Sequence, residues 1–170
     1  LGGGRPAFDR RGTFEQWDRM PHRYSINVSA LVPKDVPDQG AEDPDPFQHA
    51  VDLRITSRAV GDTFCIAFGL PDHYDAARPG GYPTVYLLDA NVYFSDVVDL
   101  CRKEARKGRL PPAIVVGVGY RDVAAMDTLR ERDYTLAPMD SMPGSGGAGH
   151  FLSFLQDELV PLVRQRLPVD

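Results

Sequence analysis

Two clusters in this chain have the residue types that handle charged oxygen. Asp89, Ala90 and Asn91 directly follow the apolar run Val85-Tyr86-Leu87-Leu88, and Arg130, Asp133 and Tyr134 come after a second run, "AIVVGVGY" (113–120). The first cluster lies just beyond the carboxyl end of a strand, where α/β sheets bind their ligands. A guanidinium adds a fork of donors suited to a carboxylate or an ester carbonyl. Each residue also has an ordinary reading. Asp89 is a common type at a strand end, Asn91 is a good N-cap for a following helix, and Arg130 in "RER" resembles any solvated surface charge.

Other chemistries find little support. "PGSGG" around Ser145 has proline where a G-x-S-x-G elbow needs its first glycine, and no apolar strand precedes it. "GVGY" is a lone G-x-G inside a strand, and "GSGGAGH" lacks the Lys-Ser/Thr of a phosphate loop. No Cys/His spacing suggests zinc, so neither metal nor cofactor is expected. Cys65 and Cys101 are expected to be buried, reduced packing residues. The net charge of -5 argues against nucleic acid or an anionic membrane as partner. No window approaches the ~18 consecutive apolar residues of a membrane span. A cytoplasmic location is expected, since no charged and then apolar leader is visible.

The elements that must position the two clusters follow from periodicity. Residues 1–46 read as an extension and a Pro/Asp-rich linker ("VPKDVPDQGAEDPDP"), with one strand-like stretch, "YSINVSALV" (24–32). Residues 50–60 alternate, with Val51, Leu53 and Ile55 on one face; Gly61-Asp62 then turns the chain into a second strand (63–71). The runs at 82–91 and 113–120 read as strands covered on both faces. Between them Phe94, Val97, Val98, Cys101 and Ala105 predict a helix over 93–107, stopped by Gly108 and Pro111-Pro112. Residues 121–150 read as a long polar connection. The last helix places Phe151, Leu155, Leu159, Leu162 and Val163 on one face, with a kink expected at Pro161. Parallel strands need a crossover, so the fold class is α/β: a mixed sheet with two antiparallel strands, then a parallel strand–helix–strand–helix unit. Ligands of such sheets bind beyond the carboxyl ends of the parallel strands. Asp89 and Tyr120 stand at those ends.

"YPTVYLLDANVYF", "PAIVVGVGY" and "RERDYT", in that order, together with the final helix and its internal Pro161, resemble the esterase D and enterochelin-esterase group of α/β-hydrolases over 47–170. The resemblance implies an incomplete α/β-hydrolase fold, ending before the strand whose G-x-S-x-G elbow carries the serine. His22, His49, His73 and His150 all precede that point, whereas the family's acid and histidine follow it, so no catalytic triad is expected in this chain. The resemblance maps one oxyanion donor to the backbone amide of Asn91, with Ala90 lining the approach where the family has glycine. It maps Asp89, Arg130, Asp133 and Tyr134 to substrate binding, the last two also holding their loop. Leu136 stands where the family has proline after Thr135.

The function so implied is the N-terminal portion of a serine esterase for a siderophore lactone or related small-molecule ester, inactive alone. A missing C-terminal half, or a partner, would cover the open sheet edge. The alternative is a non-catalytic binding or interaction module on the same scaffold.

Overall fold

The computed structural model describes residues 51–170; the extension, the linker and the strand expected over 24–32 lie outside the described residues. The elements are β1 (Val51–Thr56), β2 (Thr63–Gly69), β3 (Thr84–Leu87), α1 (Ala90–Arg106), β4 (Ile114–Tyr120), α2 (Met126–Tyr134) and α3 (Ala148–Ser153). The last of these runs on through a π-helical stretch, Phe154–Leu159, into α4 (Val160–Arg166). The strand order is β1-β2-β4-β3. β1 pairs antiparallel with β2, and β2 antiparallel with β4. β3 and β4 are parallel, with Tyr86 opposite Val116 and Leu87 opposite Gly117. This is the mixed sheet, antiparallel at one side and parallel at the other, that the sequence led us to expect.

Period-two alternation along β4 divides the core. Ile114, Val116, Val118 and Tyr120 face Phe64, Ile66, Phe151, Phe154, Leu159 and Val163 on one side. Val115 meets Ala67, Ala90, Phe94 and Val98 on the other, beneath α1. Phe64 stacks on Phe154 with ring centroids 4.4 Å apart, at the centre of an aromatic group with Phe151 and Tyr120. Burying each such ring stabilises the fold by roughly 2–3 kcal/mol.

Several features differ from those expected, each for a physical reason. β1 ends at Thr56, and the turn occupies the whole of 57–62 rather than Gly61-Asp62 alone. Glu158 explains the longer loop, since its carboxylate accepts the N–H groups of Arg58 (3.1 Å) and Ala59 (3.0 Å). β3 is only half-buried, with Val85 38% exposed, because it lies at the sheet's edge and not inside it. The polar connection contains a helix, α2. Its inward face is Asp133, Tyr134 and Leu129, with no aliphatic stripe that would give a helical period. Finally, Pro161 cannot donate to the carbonyl four residues back, and the helix before it widens: the Val160 N–H reaches the Leu155 carbonyl, five back. That extra residue shifts the buried stripe to Phe151, Phe154, Leu159 and Val163.

The outer edge of β3 is engaged at one point. Tyr82 donates its N–H to Pro168 (2.7 Å) and accepts that of Asp170 (3.2 Å), a parallel bridge between Tyr82 and Val169. Gly81, at φ +71, makes room for it: a Cβ there would stand 2.7 Å from the Val169 carbonyl carbon.

Candidate active-site rim

The carboxyl ends of β3 and β4 lie side by side, and the turn between β3 and α1 closes over them. Asp89 makes that turn in the left-handed conformation (φ 55, ψ 35), and α1 begins at Ala90. The helix starts three residues earlier than expected, so Asn91 lies in its first turn and Asp89 is the N-cap. The positive φ falls on Asp89, whereas Ala90 is helical and buried against the sheet. Holding a non-glycine residue there costs about 1 kcal/mol or more. The usual N-cap bond is also absent, since no Asp89 side-chain oxygen accepts an N–H of the first turn. Its backbone carbonyl accepts the N–H groups of Val92 and Tyr93. The amides of Ala90 and Asn91 therefore lack an acceptor within the helix, as first-turn amides do.

The Asn91 side chain does something that spacing did not foretell. Its Nδ2 donates to the Tyr120 carbonyl (2.9 Å) and its Oδ1 accepts the Tyr120 N–H (2.7 Å). β3 has turned away after Leu87, and the side-chain amide replaces it as the pairing partner for the end of β4. Asn91→Ala leaves both buried groups unpaired, and we expect it to destabilise the fold by about 2 kcal/mol, measured by urea unfolding.

α2 brings Arg130 and Tyr134 to the same turn. The Tyr134 hydroxyl donates to Asp89 Oδ1 (3.0 Å), and Arg130 Nε lies 3.0 Å from the same oxygen. The Arg130 guanidinium is 5.7 Å from the Tyr134 ring centroid and keeps a partly exposed face. Asp89, Asn91, Arg130 and Tyr134 are thus brought together. Asp133 is not among them. It is buried, with both carboxylate oxygens taken by Arg132 (2.7 and 3.0 Å), and Arg132 reaches on to Asp62 at 2.8 Å. Its position is that of an anchor between α2 and the β1–β2 turn. The sequence offered no role for Arg132, although "RERDY" places it beside Asp133, and it marked Tyr120 only as a strand end where ligands bind.

Burial raises both phenols behind the rim. Tyr134 is pushed up to about 12, by burial first, with Tyr120 opposing and Asp89 reinforcing. Tyr120 is held well above its usual value by burial, then by Tyr134 and Asp133. An unfolded tyrosine ionises near 10, so above that pH the unfolded chain releases protons that the folded one retains. Stability should be fully present below pH 10 and decline toward 12. Tyrosinate absorbance from these two residues should lag behind that of exposed tyrosines while the fold persists.

A separate cavity of about 340 Å³ lies at the opposite end of the sheet, lined by Leu70, His73, Val98, Cys101, Arg102 and Val115 among others. It shares no residue with the rim. Arg102 there donates twice to the Leu70 carbonyl (3.0 and 2.7 Å), and Arg106 pairs with Asp72. Cys65 is fully buried as expected, but Cys101 is only half-buried on this cavity, and neither forms a disulfide. None of the described helices is long and apolar enough to cross a membrane.

Comparison with known proteins identifies the family. Residues 57–170 match the Esterase family, described as "Putative esterase". The chain is 32% identical to the ferri-bacillibactin esterase BesA of Bacillus subtilis over 129 residues, 68% of this chain and 44% of that protein. It is 33% identical to the apo-salmochelin esterase of Escherichia coli O6:H1 over 104 residues, 55% of this chain and 32% of that one. Among solved structures, the BES protein from Bacillus cereus superposes with a TM-score of 0.61 at 30% identity, covering 69% of this chain and 46% of that chain. The enterobactin and salmochelin hydrolase IroE gives 0.55 at 28% identity, with 69% and 46% covered. The chain thus spans less than half the length of these relatives. Its sheet order and the match over 57–170 place it in the Esterase family of α/β-hydrolases.

Proposed function

We propose that this chain is the N-terminal portion of a serine esterase acting on siderophore-type esters, and that it supplies the oxyanion-binding half of the site. The observation that carries the reading is the turn Asp89-Ala90-Asn91. It sets uncommitted first-turn amides at the carboxyl ends of two parallel strands, beside Arg130. In this reading the Asn91 N–H is one donor to the tetrahedral oxyanion, with Ala90 lining its approach. Arg130 offers the exposed part of its guanidinium to an ester carbonyl or an anionic group of the substrate. Asp133 and Tyr134 hold α2 and the turn in place rather than bind substrate. The siderophore preference rests on what the named relatives hydrolyse.

The attacking hydroxyl would come from a strand beside β3, in the direction that Val169 begins at Tyr82. This 170-residue chain should accordingly be inert toward p-nitrophenyl butyrate. Saturable turnover by the purified 170-residue protein would refute this division of labour.

A further inference from the structure

Asp89 has two oxygens and stands at the N-cap of α1, where an aspartate ordinarily folds its carboxylate onto the N–H of the second or third helical residue. The second helical residue here is Asn91. That bond is not made, because Asp89 is left-handed and its carboxylate is drawn off the helix end by the Tyr134 hydroxyl and Arg130 Nε, both 3.0 Å from Oδ1. We infer that Tyr134, with Arg130, is a positioning residue that keeps the Asp89 carboxylate from capping the Asn91 amide, and so keeps the oxyanion donor open. The inference rests on the reading of Asn91 given above. Without the tether, residue 89 relaxes to the extended conformation usual for an N-cap. It then places a fixed negative charge on the donor meant for a transient one. Tyr134 and Arg130 come from one face of α2, which Asp133 and Arg132 anchor to the β1–β2 turn, so the tether is built into the scaffold.

The test is a titration of the 170-residue chain with methylphosphonate, a tetrahedral anion, followed at the Asn91 amide by nitrogen–proton NMR. The natural chain should show a saturable shift. Tyr134→Phe should weaken binding about fivefold, the worth of a typical cap bond, and should move the Asn91 resonance toward a hydrogen-bonded position before anion is added. Asp89→Gly tolerates positive φ and has no carboxylate to fold inward. Added to Tyr134→Phe, it should restore the affinity, which loss of a merely structural tyrosine would not allow. Absence of any saturable shift in the natural chain would sink the oxyanion reading itself. Binding by the natural chain that Tyr134→Phe leaves unchanged, or that Asp89→Gly fails to restore, would overturn this inference alone. If Tyr134→Phe does not fold, Asp89→Gly by itself decides. Equal or tighter binding supports the inference, and a clear loss overturns it.

Discussion

Asp133→Ala should cost this fold about 3–5 kcal/mol, enough to consume much of a typical domain's stability. The carboxylate is buried and accepts from Arg132 Nε and Nη2, while Arg132 Nη1 continues to Asp62 in the β1–β2 turn. Its removal strands a half-buried guanidinium whose charge has been favoured by two carboxylates. The loss also unmoors α2, which carries Arg130 and Tyr134. Urea unfolding should show a large fall in midpoint. Asp133→Asn, which keeps one acceptor, should lose less.

Gly117→Val should have the second large effect, and it bears on the rim directly. Gly117 pairs with Leu87, and a Cβ at this position would stand 2.6 Å from the Phe94 ring and 2.9 Å from the Ala90 Cβ. The missing side chain lets the first turns of α1 lie close against β4, which puts Asn91 within reach of Tyr120. Valine must push α1 outward. Overpacking of this kind costs about 1–3 kcal/mol. The displaced amide would weaken anion binding at Asn91 by about tenfold or more, measurable in the same NMR titration. Val118 lies on the other face of β4, away from α1, so Val118→Ala makes a control for strand effects.

How far the sequence spoke depends on what kind of face each element buries. β4 and α1 were legible because their inner faces are aliphatic or aromatic at a regular period. So was the parallel pairing of β3 with β4, since handedness and crossover length leave few choices. The antiparallel junction between β2 and β4 was not derivable, because nothing local in "TFCIAFG" names its second neighbour. α2 escaped because charged and phenolic groups, satisfied by one another, fill its buried face. The final helix was found, but the π-helical stretch before Pro161 displaced its stripe by a residue. Asp89 and Asn91 were singled out by position, yet their contacts were not. The left-handed turn, the Asn91 bonds to Tyr120 and the tether from Tyr134 join residues 29 and 45 positions apart. No spacing rule reports these.

If the turn after β3 is an oxyanion cradle, supplying the serine, acid and histidine of a triad should make it catalytic. The most direct measurement is ester hydrolysis by a chimera joining this chain to the portion of BesA beyond its matched segment. The account predicts saturable hydrolysis of p-nitrophenyl butyrate that disappears when the serine contributed by BesA is replaced by alanine. A chimera that melts cooperatively and still shows no turnover, beside an active parent BesA, would contradict it.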